Sequence, residues 1–85
     1  MKSDKAFNGL LAEIGSCLAE LRVKKGYPTI KAFAERYDLP EIQYWRIERG
    51  KANITLKSLS KILRIHRLTL HEFFCLLQDP KRAAA

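Results

Sequence analysis

Apolar residues recur at helical spacing from one end of this chain to the other, in short stretches that each run into a glycine, a proline or a capping residue. Such a pattern builds short helices and leaves no room for a sheet. Leu10, Ile14, Leu18 and Leu21 fall at i, i+4, i+8 and i+11. That stripe predicts a first helix ending at Gly26, with Lys24 and Lys25 complementing the dipole of its last turn. Tyr27-Pro28-Thr29 forms a turn with Thr29 as the next N-cap. Ile30, Phe33, Ala34 and Tyr37 then give a short second helix. Asp38-Leu39-Pro40 breaks it, because the residue before a proline resists the α region. Pro40 opens a third helix whose inward positions are Tyr44 and Ile47, and Gly50 closes it.

After a polar connection over 51–54, Thr55 reads as an N-cap and Leu56, Leu59, Ile62 and Leu63 as the fourth apolar face. Thr69-x-x-Glu72 is a capping box at the head of a fifth helix carrying Leu70, Phe73, Phe74 and Leu77, which Pro80 ends. No strand alternation, internal repeat or linker interrupts the series. The expectation is an all-α fold, a compact five-helix bundle over 10–78. An N-terminal arm over 1–9 precedes it and a frayed tail over 79–85 follows.

Chain length and charge narrow the function. Eighty-five residues suit one small domain. Sixteen Lys and Arg against nine Asp and Glu leave a net charge of +7, which fits a polyanionic partner. The charge is clustered: Arg46, Arg49, Lys51, Lys57, Lys61, Arg64 and Arg67 face a single acid, Glu48, within 46–67. The longest apolar run, Phe73 to Leu77, is five residues, too short for a membrane span. Met1 to Lys5 lacks the apolar stretch of a signal peptide. Cys17 and Cys75 form neither a disulfide framework nor a Cys-x-x-Cys box, so both are expected as free thiols in a reducing cytoplasm.

Catalysis has little to work with. There is no glycine-rich phosphate loop, no His-Glu-x-x-His and no nucleophile–base pair, so no enzyme and no cofactor are expected. His71 and Cys75 share a helix face with His66 nearby, but a structural zinc site wants four ligands and no fourth is evident. No metal is therefore expected. His71 reads as a surface residue and Cys75 as a small buried apolar one.

The spacing of the second and third helices is that of a helix-turn-helix, in which the first braces the DNA backbone and the second enters the major groove. Three segments carry a resemblance beyond spacing: Arg22-x-x-Lys25-Gly26, Phe33-Ala34-Glu35-Arg36-Tyr37-Asp38-Leu39 and Tyr44-Trp45-Arg46-Ile47-Glu48-Arg49-Gly50-Lys51. With Leu56 to Leu63 and Leu68 to Phe73, they resemble the Cro/XRE-like helix-turn-helix family of phage-repressor relatives. The match runs from about Leu18 to Phe74, and 46–51 is its most specific part. The resemblance implies a domain of the phage-repressor DNA-binding type in a bacterial or phage-type cytoplasm, nucleoid-associated when bound. It also implies that Arg22 pairs with Glu48. Several positions depart from the family pattern. Asp38 stands where glycine is usual in the turn, though Asp tolerates the left-handed conformation better than most residues. Pro40 replaces a Ser or Thr cap and Ile30 a frequent Gln. The turn at Tyr27-Pro28 is one residue longer, and His66 and Arg67 occupy Leu and Gly positions.

On the third helix, Ile42, Trp45, Arg46 and Arg49 lie at i, i+3, i+4 and i+7, opposite the core residues. An apolar outward face is odd for a solvated helix and reasonable for one pressed into a groove. Positions matching the family place Glu41, Ile42, Trp45 and Arg46 at base edges, and Gln43, Arg49, Lys51 and Asn53 at phosphates. Trp45 has a second reading, packing against neighbouring helices as large aromatics usually do. The fifth helix is more apolar than its core side requires, which predicts a homodimer centred on Phe74 or Leu76. The expected function is a dimeric transcriptional regulator, a repressor in the first instance, with the helix over 41–49 reading a palindromic double-stranded operator. Alternatives on the same domain are an antitoxin, which would also hold a protein partner, and a restriction–modification controller protein.

Overall fold

A computed structural model describes the backbone of residues 2–79 and the side chains of residues 4–79. Five helices follow one another: α1 (Lys2–Lys24), α2 (Ile30–Arg36), α3 (Glu41–Glu48), α4 (Leu56–Ile65) and α5 (Leu70–Leu77). Among the described residues there is no strand. The chain divides into two compact units, Met1–Asn53 and Ile54–Ala85.

In the N-terminal unit, α1 and α2 each pack against α3. The segment over 1–9, expected as an arm, is helical from Lys2. Phe7, Leu11 and Ile14 extend the apolar stripe toward the N-terminus, and Asp4 sits favourably in the first turn. The buried face of α1 is Leu11, Ile14, Cys17 and Leu18, while Leu10 is exposed and Leu21 half-buried. At 100° per residue Leu10 and Leu21 lie at the margins of that stripe, so the inward row is set one residue on.

Thr29 caps α2, its hydroxyl accepting from the Ala32 N–H at 3.2 Å. Phe33 and Ala34 are buried beneath that helix. It ends in a left-handed Asp38 (φ 55°), with the Leu39 N–H donating to the Ala34 carbonyl at 2.8 Å. Asp38 thus takes the conformation that glycine usually supplies in such a turn. Pro40 precedes α3 without a side-chain cap, and its fixed φ of −64° leads into the helix. Gly50 (φ 69°) terminates α3, the Lys51 N–H donating to the Arg46 carbonyl and the Gly50 N–H to the Ile47 carbonyl.

The C-terminal unit packs α4 against α5. Thr55 caps α4 through the Ser58 N–H, and Leu59, Ile62 and Leu63 are its buried residues. Leu56 is 66% exposed rather than part of that face, because as the first helical residue it precedes the first inward turn. The capping box is formed: Thr69 Oγ1 accepts from the Glu72 N–H, and Glu72 Oε1 accepts from the Thr69 N–H. On α5 only Phe73 is fully buried; Leu70 and Leu77 are half-buried. Cys75, expected inside, is exposed, because it lies on the side of α5 away from Phe73. Cys17 is the buried thiol. Of the expected tail only Asp79 lies within the described residues.

Candidate nucleic-acid interface

The orientation of α3 follows from two side chains. Tyr44 and Ile47 are 2% and 7% exposed, so the opposite side of the helix faces outward. Ile42 at 78% and Trp45 at 39% exposure occupy that side with Arg46 and Arg49, both exposed. Glu41 and Gln43 flank this crest and are exposed, as are Lys51 and Asn53 in the connection after it. An exposed isoleucine and tryptophan set among cations is costly in water and suited to a polyanion with apolar base edges.

Two interactions order the crest. The Arg46 guanidinium donates from Nη2 to the Lys51 carbonyl at 3.2 Å, folding back over the end of the helix. Arg49 lies over the Trp45 ring at 5.2 Å from its centroid, a cation–π contact. Trp45 therefore is neither a core residue nor a bare surface one: half its task is to hold Arg49.

The end of α3 is held far more firmly than the crest. Arg22 of α1 forms a forked pair with Glu48, Nε to Oε2 at 2.9 Å and Nη2 to Oε1 at 3.2 Å. Its third nitrogen, Nη1, donates to the Tyr27 carbonyl at 2.7 Å, which ties the turn before α2 to the same point. The side chains of Arg22 and Glu48 are 9% and 4% exposed. The hydrogen bond to Glu48 raises the Arg22 pKa above that of an ordinary guanidinium despite the opposing effect of burial. The Tyr44 hydroxyl is buried beside this pair, and burial first, then Glu48, pushes its pKa well up. Below it the rings of Phe33 and Tyr44 meet at 5.3 Å, and Phe33, Tyr27 and Tyr37 form a continuous aromatic cluster.

Two glycines set the distance between backbones. A Cβ on Gly15 would fall on the carbonyl oxygens of Ile47 and Glu48, so only a bare Cα lets α1 approach the end of α3. A Cβ on Gly50 would meet the Ala12 Cα at 2.8 Å. Neither role was read from the sequence, where Gly50 served only as a helix stop. A signal for Gly15 was present: glycine inside a helix costs about 1 kcal/mol relative to alanine, and a close approach is the usual reason to keep it.

Phe74 and Leu76, the residues expected in a dimer interface, are half-buried on α5, with the Phe73 and Phe74 rings 5.7 Å apart. His71 and Cys75 are in contact, Nε2 to Sγ 3.7 Å. Among the described residues no three His, Cys, Asp or Glu side chains form a group that could hold a metal. No described helix is long and apolar enough to cross a membrane.

In sequence comparison the chain is similar to "Control protein C.MunI" from Mycoplasma sp., 36% identical over 67 residues that cover 79% of this chain and 90% of that protein. No protein-family model matches the chain, and no solved structure matches it.

Proposed function

We propose, from the premise that this chain belongs to the control-protein family of C.MunI, that it is a DNA-binding transcriptional regulator of the restriction–modification controller type. The observation that carries the reading is the crest of α3. Ile42, Trp45, Arg46 and Arg49 stand outward on a helix whose other side is buried, immediately after a helix and turn of helix-turn-helix spacing. Control-protein kinship favours the controller over a free-standing repressor and over an antitoxin. A restriction enzyme encoded beside this gene would support that choice, and a toxin gene in that place would count against it.

In this reading α3 enters the major groove. Arg46 exchanges the Lys51 carbonyl for guanine O6 and N7, Ile42 meets a thymine methyl, and Glu41 accepts from cytosine N4, with Trp45 beside them. Gln43, Arg49, Lys51 and Asn53 hold phosphates. One such domain reads only a few base pairs. Two-fold pairing through α5, with Phe74 or Leu76 central, would supply a palindromic site with half-sites about 10 base pairs apart.

Selection of bound sites from random duplexes tests the assignment. Arg46→Ala should cost about 1–3 kcal/mol at one base position per half-site and relax the preference there. Arg49→Ala should weaken all sequences alike and reduce the salt dependence by about one unit. An unchanged preferred sequence in Arg46→Ala would remove the crest from base reading. Sedimentation of a monomer at tens of micromolar, with and without the selected duplex, would refute the dimer.

A further inference from the structure

The C-terminal unit carries a charged face with no part in base reading. On α4, Lys57, Lys61 and Arg64 fall at i, i+4 and i+7, within one arc of helix surface, and all three are exposed. The arc lies opposite Leu59, Ile62 and Leu63, which are buried. Arg67 continues it past the helix end and is also exposed. No acidic residue occurs between Glu48 and Glu72. Among the described residues, none of the four cations has an ion-pair partner.

Two features make this face unfavourable for the isolated chain. Like charges one helical turn apart repel. Arg67 in addition holds a left-handed backbone, φ 58°, where a Cβ is crowded. The other left-handed positions are Gly26, Gly50 and Asp38, residue types that accept this conformation. An arginine at such a point is poor for the backbone and adds to the repulsion. An external polyanion offsets both.

We propose that Lys57, Lys61, Arg64 and Arg67 form a second DNA-binding surface, one that grips phosphates and reads no bases. The proposal rests on the DNA-binding reading above and extends it to the C-terminal unit. From Lys57 to Arg64 the helix rises about 10 Å. Over that length one DNA strand presents about three phosphates. A protein partner would need acids set at the same interval, whereas any duplex supplies them. The face offers cations alone, without the apolar and amide groups that distinguish bases.

The test uses the full chain with Lys57→Gln, Lys61→Gln and Arg64→Gln combined, glutamine being a good helix former, and a thermal melt verifies folding. A random-sequence duplex and a selected duplex are titrated across salt concentrations. The expected result is a log–log salt slope smaller by about two to three units for both duplexes, with the selected sequence unchanged. Arg67→Gly should raise the melting temperature while lowering the slope by about one unit, a pairing of opposite effects that a structural role does not produce. A wild-type slope in the triple variant overturns the proposal and returns the face to solvent or to an acidic protein. A changed base preference in that variant overturns its sequence-blind character. Arg67→Gly with a wild-type slope removes Arg67 from the face. A wild-type chain that binds no duplex fails the DNA-binding reading itself, and this proposal with it.

Discussion

The two units of this chain are held together by different kinds of interaction. In the N-terminal unit, α3 is fixed by contacts that span long stretches of sequence: Arg22 with Glu48, Gly15 against the Ile47 and Glu48 carbonyls, Gly50 against Ala12. In the C-terminal unit the helices are defined by neighbours in sequence: Thr55 with Ser58, Thr69 with Glu72, and apolar residues one turn apart. The difference matches the tasks assigned to them. A helix that reads bases must hold its angle to a fraction of an ångström, and forked ion pairs and backbone contacts fix angles. A helix that meets phosphates tolerates more play.

Arg22→Ala should have the largest effect, about 3–5 kcal/mol, because it leaves the Glu48 carboxylate buried without a partner. A double variant sharpens the point. Arg22→Met with Glu48→Leu should recover most of that stability, since apolar groups of similar volume replace a buried pair at little cost. It should not recover sequence preference if the pair sets the angle of α3. Denaturant unfolding beside site selection measures both; a double variant as unstable as the single one would show that the pair is not mainly an electrostatic device.

Gly15→Ala comes next, at about 1–3 kcal/mol, since the new methyl meets two backbone carbonyls that no side-chain rotation can clear. Should Gly15→Ala instead stabilise the chain through its better helix propensity, the close approach of α1 and α3 would be incorrect. Thr69→Ala should cost about 1 kcal/mol, the value of one local cap, or roughly 4–8 °C in Tm. If it cost as much as Arg22→Ala, the contrast between local and long-range fixation would fail. Leu56→Ser should be smallest, within about 0.5 kcal/mol, because the side chain is 66% exposed.

Where the sequence could be read and where it could not follows the same division. Helix existence, order and caps were legible because each depends on residues within four of one another: Thr29, Thr55, the Thr69–Glu72 box, the stops at Gly26 and Gly50. The outward side of α3 was legible from Tyr44 and Ile47 alone. The errors fall where a helix runs past its core. Periodicity defines a stripe but not how much of it is covered, so Leu10 and Leu56 were placed inside and the helical residues from Lys2 to Gly9 were taken for an arm. Cys75 was misplaced because a thiol carries no directional signal of its own.

The sequence by itself determined five helices, their caps and the side of α3 that faces outward, because helix periodicity and capping act over a turn or two and need no knowledge of what lies across the fold. Arg22 and Glu48, 26 residues apart, could be matched in sequence only through resemblance to a family. Only the tertiary structure decided that Gly15 must lack a side chain, that Tyr27 supplies a carbonyl to Arg22, that Arg49 rests on Trp45 and that Arg67 holds a left-handed backbone. Each of these depends on distances between atoms that folding brings together, or on a dihedral that the residue's own type disfavours, and neither quantity is written in local pattern.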